Sequence, residues 1–317
     1  MYGLKQDWET ESPSRCLVLE DYEGVEARWC SGCGDHAVLA GLQRLVRDEQ
    51  LPPEKIVVVS GIGCSSRLPH YMKTYGFHGL HGRPLPVACG VRSRRPDLNV
   101  FVVTGDGDCC AICTAHWIHA VRYNMDMTVM LLDNNIYGLT KRQTSPTTPR
   151  GGQSNTHPRG SSLGPLNPLS VTLGIANASF VAQTVDWNPV HLYATLKAAY
   201  HHPGFAFVRI LQRCPHFTAA QDEELRQNPT RMLLLTHPDG IDAAEPVRKV
   251  FTNRLEHDPG DLDAARSLAS DEAQMPMGLL YRNVDCGRYD EESAAGIGLA
   301  AETKLEKVRA AFDQFAI

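Results

Sequence analysis

Apolar positions along this chain follow two alternating periods. Over Asp35–Asp48 they recur at Val38, Leu39, Leu42, Leu45 and Val46, a spacing that lays one stripe along a helix. Ile56–Ser60 follows as a continuous β-branched run, too short for a helix and suited to a strand buried on both faces. The signals then repeat. Strands over 99–104 and 127–132 enclose a helix over 111–124, and strands over 179–184 and 205–211 enclose a helix over Pro189–Tyr200. Such alternation requires crossover connections, so the pattern predicts an α/β fold, a mainly parallel sheet with helices on both faces. Residues 144–168 interrupt it with Pro, Gly, Ser and Thr, and read as a long ordered loop over a ligand. The chain divides into an N-terminal extension (1–29), the alternating region (30–217) and a C-terminal arm or interface segment (218–317) ending in a helix over 302–315.

Ligands of open parallel sheets bind outside the carboxyl ends of the strands. Gly61-Ile62-Gly63-Cys64 follows the first strand, Gly105-Asp106-Gly107-Asp108 the second, Asn134 the third and Cys214 the last. These residues are therefore expected on one edge, whereas Cys30 and Cys33 are not placed by the rule. A carboxylate at Asp106 and an amide at Asn134 can share one oxygen-loving cation. Magnesium binds through one or two such groups plus phosphate oxygens, which implies a phosphorylated cofactor.

Composition narrows the class. With 317 residues, 43% hydrophobic, the chain can bury a large core, and a net charge of −5 without a basic block argues against nucleic-acid binding. No stretch approaches the roughly 20 apolar residues of a membrane span, and residues 1–7 lack the apolar core of a signal peptide, so a cytoplasmic location is expected. In that compartment ten cysteines suit ligation better than disulfides. Cys30 and Cys33 form a C-x-x-C, open to zinc, a redox dithiol or an iron–sulfur cluster. Zinc ribbons usually bring a second such pair, and dithiol chemistry would leave Cys64 and Cys214 without a task. Cys109, Cys110 and Cys113, with Cys16, Cys89 and Cys286, read as small packing residues. His116 and His119 read as core or interface histidines.

A resemblance goes further. Gly105-Asp106-Gly107 followed by Asn134-Asn135 resembles the diphosphate signature of thiamine diphosphate enzymes. The run from Ile136 through Gly138-Leu139-Thr140-Lys141-Arg142 to Thr147 is similar to the β subunit of the 2-oxoacid:ferredoxin oxidoreductases. So are Trp29-Cys30-Ser31-Gly32-Cys33-Gly34, Gly61-Ile62-Gly63-Cys64-Ser65-Ser66-Arg67 and His81-Gly82-Arg83. The likeness is dense over 25–150 and thins to Cys214, whose flanks depart from the pattern. It implies the thiamine diphosphate-binding fold, diphosphate half, with magnesium on Asp106, Asn134 and the Ile136 carbonyl. Gly107, Asp108, Gly138 and Leu139 would line the diphosphate, with Ile62, Gly63, Cys64, Ser65 and His81 on the thiamine side. It assigns Cys30, Cys33, Cys64 and Cys214 to a [4Fe–4S] cluster.

The implied reaction converts a 2-oxoacid, coenzyme A and oxidised ferredoxin to acyl-CoA, carbon dioxide and reduced ferredoxin. Arg67 and Lys141, both beside the reacting centre, are candidates for the substrate carboxylates, and two cations favour 2-oxoglutarate over pyruvate. No pyrimidine-side glutamate is found, so an α subunit is expected to bring it and most of the coenzyme A site, in an (αβ)2 assembly inactive without that partner. The alternatives are a non-redox thiamine diphosphate decarboxylase subunit and, from another class, a zinc-stabilised binding module.

Overall fold

The computed structural model describes residues 15–242, 244–294 and 301–314. Residues 1–7, used above for location, lie outside them, as does residue 315 at the end of the expected last helix.

Strands β1 (Ile56–Ser60), β2 (Tyr75–His78), β3 (Asn99–Gly105), β4 (Met127–Asp133), β7 (Phe180–Val185) and β8 (Phe205–Leu211) form the parallel body of a nine-stranded sheet. A separate antiparallel ladder joins β5 (Ile136–Tyr137) and β6 (Gln143–Thr144). From β7 outward the sheet is mixed: β11 (Met275–Arg282) runs antiparallel to β7, and β9 (Met232–Thr236) and β10 (Arg254–Glu256) follow it in parallel. The full order is β10-β9-β11-β7-β8-β4-β3-β1-β2.

Alternate strand residues feed two cores, as the two-residue pleat requires. Val57, Val59, Val100 and Val102 pack with Trp117, Leu169 and Ala265, from helices α4 (Thr114–Tyr123), α5 (Pro168–Leu173) and α9 (Leu262–Ser270). Ile56, Val58, Phe101 and Val103 face the other way, onto Leu42 of α1 (Asp35–Asp48) and Leu192 of α6 (Pro189–Tyr200). The remaining helices are α2 (Pro84–Arg94), α3 (Asp106–Cys110), α7 (Ala219–Gln227), α8 (Glu245–Val250), α10 (Tyr289–Ala294) and α11 (Ala301–Asp313).

Two expectations change, and one strand was not foreseen. The helix expected over 111–124 is α4, over Thr114–Tyr123, and a further short helix, α3, precedes it: Asp106 opens α3 directly after Gly105, and Ala111, at φ −100° and ψ −103°, separates the two. The segment expected as an arm contributes β9, β10 and β11 to the sheet, its apolar runs MLLLT and MPMGLLYR being buried there. Strand β2 carries no alternation to read, since all four of its residues are exposed on the sheet edge.

Of the cysteines expected in the core, Cys109, Cys110 and Cys113 are buried, Cys89 and Cys286 half-buried, and Cys16 exposed. His119 is exposed and His116 half-buried, so neither is a core histidine.

Candidate active site

The carboxyl ends of β1, β3 and β4 open onto one cavity of about 430 Å³. Ile62, Gly63, Cys64, Ser65, His81, Asp106, Gly107, Asp108, Asn134, Ile136, Gly138 and Leu139 all line it, so the expected cofactor and cation residues are brought together. Its floor is held from within. Asp108 Oδ1 accepts from the backbone N–H of Ile62 (3.1 Å) and of Gly82 (2.7 Å) and lies 2.8 Å from His81 Nδ1; Oδ2 accepts from Thr104 Oγ1 at 2.8 Å. The oxygens of this carboxylate are engaged by the loops after β1 and β2 and by the end of β3. Gly61 is obligatory against it, because a Cβ there would stand 2.0 Å from Asp108 Oδ2.

The oxygen donors form a second layer. Asp106 is buried, and Thr147 from the long loop 144–168 donates Oγ1–H to its Oδ2 at 2.8 Å while lying 2.8 Å from Asp133 Oδ1. One hydroxyl proton cannot serve two carboxylates. Arg209 binds Asp133 Oδ2 through Nε and Nη2 at 2.8 and 2.6 Å, so Asp133 carries the compensated charge. Burial, and next the nearby Asp133, push the Asp106 carboxyl above the ordinary range. Such a group gains most from a cation. Asn134 Oδ1 accepts from the Ile136 N–H at 3.2 Å, and its Nδ2 donates to Gln212 Oε1 at 2.8 Å. Carboxylate, amide oxygen and the Ile136 carbonyl make a hard-oxygen set of the kind magnesium takes. Tyr137 closes the layer by donating its hydroxyl to Gly107 O at 2.9 Å, its ring filling the place a Cβ on Gly107 would need.

A second cavity of about 220 Å³ adjoins the first and shares Cys64, Asn134, Gly138 and Leu139 with it. Cys30, Cys33, Cys64 and Cys214 all line it, which brings the C-x-x-C to the sheet edge that strand order could not assign. Trp29 fixes the approach by donating Nε1–H to Cys64 O at 2.7 Å. Burial pushes the Cys64 thiol up to about 12 and raises Cys33 as well, the buried Asp35 adding to both. Metal ligation supplies the compensation that thiolates in such a place require. Among the described residues no three His, Cys, Asp or Glu side chains converge on one ion-sized point. The four thiols share the lining of this one cavity.

Arg67 and Lys141 line this smaller cavity, not the larger one. Arg67 donates Nη1–H to Arg28 O at 3.2 Å with its guanidinium 5.8 Å from the Tyr71 ring centre, and Lys141 stands at φ +75° in the turn between β5 and β6. Three contributors escaped the sequence reading, namely Thr147, Tyr137 and Gln212. Thr147 and Tyr137 lie in runs already quoted, but hydroxyls in a polar loop carry no spacing signal. Gln212 had only its position after β8 to mark it.

Comparison with known proteins bears on this geometry. Residues 61–210 match the thiamine pyrophosphate enzyme, C-terminal TPP binding domain. The chain is 45% identical over 218 residues to the 2-oxoglutarate oxidoreductase subunit KorB of Mycobacterium tuberculosis, an alignment covering 68% of this chain and 58% of that protein's length. It is 32% identical to the 2-oxoacid:ferredoxin oxidoreductase subunit beta of Saccharolobus solfataricus, over 84% of this chain and 85% of the relative. Among solved structures, a chain of the 2-oxoglutarate:ferredoxin oxidoreductase from Magnetococcus marinus, with 2-oxoglutarate, coenzyme A and succinyl-CoA bound, superposes with a TM-score of 0.80 at 34% identity, covering 93% of this chain and 95% of that one.

Proposed function

Since the chain belongs to the β subunits of the 2-oxoacid:ferredoxin oxidoreductases, we propose that it holds the diphosphate half of thiamine diphosphate and a [4Fe–4S] cluster side by side, for oxidative decarboxylation of 2-oxoglutarate to succinyl-CoA. The observation that carries this is the pair of adjoining cavities, one containing Asp106 and Asn134 and one lined by four cysteines, with Cys64 and Asn134 lining both. Thiamine diphosphate, when bound, supplies the electron sink for decarboxylation. The chain's own residues do the rest. Asp106, Asn134 and the Ile136 carbonyl hold magnesium, Gly107 and Gly138 let the diphosphate approach the backbone, and Asp108 keeps the loops bearing Ile62 and His81 in place. Cys30, Cys33, Cys64 and Cys214 hold the cluster, and electrons leave singly to a ferredoxin.

Zinc fits less well, because it has no redox chemistry and could not carry electrons away from the adjoining cavity. A non-redox decarboxylase would leave the cysteine cavity without work. For the substrate, Arg67 and Lys141 line the cysteine cavity, close in sequence to the shared residues Cys64 and Leu139; two such cations match two carboxylates, and relatives are named for 2-oxoglutarate. Pyruvate is the second choice.

The larger cavity has no glutamate in its lining, and Ile62, Leu80, Ile112 and Leu139 are exposed apolar side chains near it. Both features support an α subunit that covers this face, brings the ylid-forming glutamate and most of the coenzyme A site, and completes an (αβ)2 assembly in the cytoplasm. The test is anaerobic co-purification with that subunit, followed by coenzyme-A-dependent viologen reduction. The reading expects 2-oxoglutarate to outrun pyruvate and the isolated chain to turn over nothing. Robust activity without a partner, or a preference for pyruvate, overturns the corresponding part.

A further inference from the structure

Gln212 follows the last residue of β8 and is 3% exposed. Its backbone N–H donates to Asp133 O at 2.9 Å, and the residue lines the smaller cavity beside Asn134, which lines both. There the amide is used at both ends. Oε1 accepts from Asn134 Nδ2 at 2.8 Å, while Nε2 donates to Cys33 Sγ at 3.4 Å and to the Arg213 carbonyl. A primary amide offers one oxygen acceptor and two N–H donors from a single rigid group. At this reach a glutamate keeps the acceptor and loses the donors, and a leucine loses both.

We propose that Gln212 is a positioning residue that fastens the cation ligand Asn134 and the cluster ligand Cys33 to one side chain, so that it sets both cofactor affinity and the reduction potential of the cluster. By taking the NH2 end of Asn134, it leaves the amide oxygen as the atom available to the Ile136 N–H and to a cation. By donating to the Cys33 sulfur, it stabilises the more negative, reduced cluster, since hydrogen bonds to ligand sulfurs tune the potential. Groups that orient metal ligands in this way are worth about tenfold or more in affinity. The inference rests on the reading above that a cation sits on Asn134 and a cluster on Cys33.

The experiment uses the anaerobically purified complex with its α subunit, in wild-type, Gln212→Glu and Gln212→Leu forms. Two quantities are read: the cluster midpoint by potentiometric electron paramagnetic resonance, and thiamine diphosphate affinity by calorimetry at fixed magnesium. Gln212→Glu keeps an oxygen facing Asn134, so affinity stays near wild type while the cluster becomes about tenfold harder to reduce, about 59 mV for one electron. Gln212→Leu loses both contacts, and its affinity falls about tenfold as well. A Gln212→Glu complex with the wild-type midpoint overturns the proposal, as does a Gln212→Leu complex with wild-type affinity. Should Gln212→Leu not assemble, the Gln212→Glu midpoint decides alone. A wild-type complex without any iron signal is a different failure, that of the cluster assignment itself.

Discussion

At the scale of single residues, the site is organised by the Asp108 carboxylate. Asp108 ties together the loop after β1, the loop at His81-Gly82 and the Thr104 hydroxyl at the end of β3. Removing it takes away the acceptor of the Ile62 and Gly82 N–H groups and of the Thr104 hydroxyl, and a buried donor left unpaired costs about 1–3 kcal/mol. Asp108→Ala is therefore expected to lower unfolding stability by about 3–5 kcal/mol in denaturant titration. A cost below about 1 kcal/mol would show that the loops hold themselves. Gly107 makes a sharper case, because an added Cβ would sit 2.2 Å from the Tyr137 ring. Gly107→Ala must move that ring and break its bond to Gly107 O, an overpacking cost of about 1–3 kcal/mol. Thiamine diphosphate affinity is expected to fall with it, and calorimetry of the complex with its partner measures this; unchanged affinity would separate the ring from the site.

Among the elements, α6 depends on two neutral histidines. His191, in its first turn, is fully buried with Nδ1 2.8 Å from Thr184 Oγ1, and His202, just past its end, lies with Nε2 2.8 Å from Ser179 Oγ. Burial pushes each down to about 4, with Arg282 and Arg288 adding at His202. In the unfolded chain both titrate near 6.5. Between these values the unfolded chain binds more protons than the folded one, so stability rises with pH and is lost as pH falls from 6.5 to about 4. The loss amounts to about 3 kcal/mol per histidine at most. His191→Gln is expected to flatten this acid limb of the melting-temperature profile, and an unchanged slope would assign it to other groups.

Elements with strong periods were legible in the sequence: the stripe of α1 and the doubly buried runs of β1, β4 and β8 carry their own signal. Strand β2 did not, since an edge strand exposed at every position has no alternation. Strand β11 was hidden by Pro276 and by Gly278 at φ +123°, residues that usually weaken a strand. Helix α3 carries no readable signal because Gly-Asp-Gly is poor in helix formers; the short helix stands where Gly105 leaves β3 and Asp106 turns into the site. The sheet-edge rule gathered most of the candidate site from strand order, and the structure added what contacts alone could supply, the hydroxyl of Thr147 and the amide of Gln212.

Taken whole, the molecule sets the cavity that contains Asp106 and Asn134 beside a cysteine-lined one, with Cys64 and Asn134 lining both, and leaves apolar side chains exposed near the first. A surface of that kind calls for a protein cover. The chain alone is expected to bind thiamine diphosphate weakly, and binding should tighten by at least tenfold on adding the α subunit; equal affinity in both states would mean the site is complete without it. Coupling between the cavities can be read spectroscopically. The anaerobic complex, loaded with thiamine diphosphate and magnesium and mixed with 2-oxoglutarate and no other reductant, is frozen and examined by electron paramagnetic resonance. The account expects a reduced [4Fe–4S] signal that requires the oxoacid and is absent in Cys64→Ser. Carbon dioxide released with no iron signal in the wild-type complex would contradict it and point to a decarboxylase without an electron outlet.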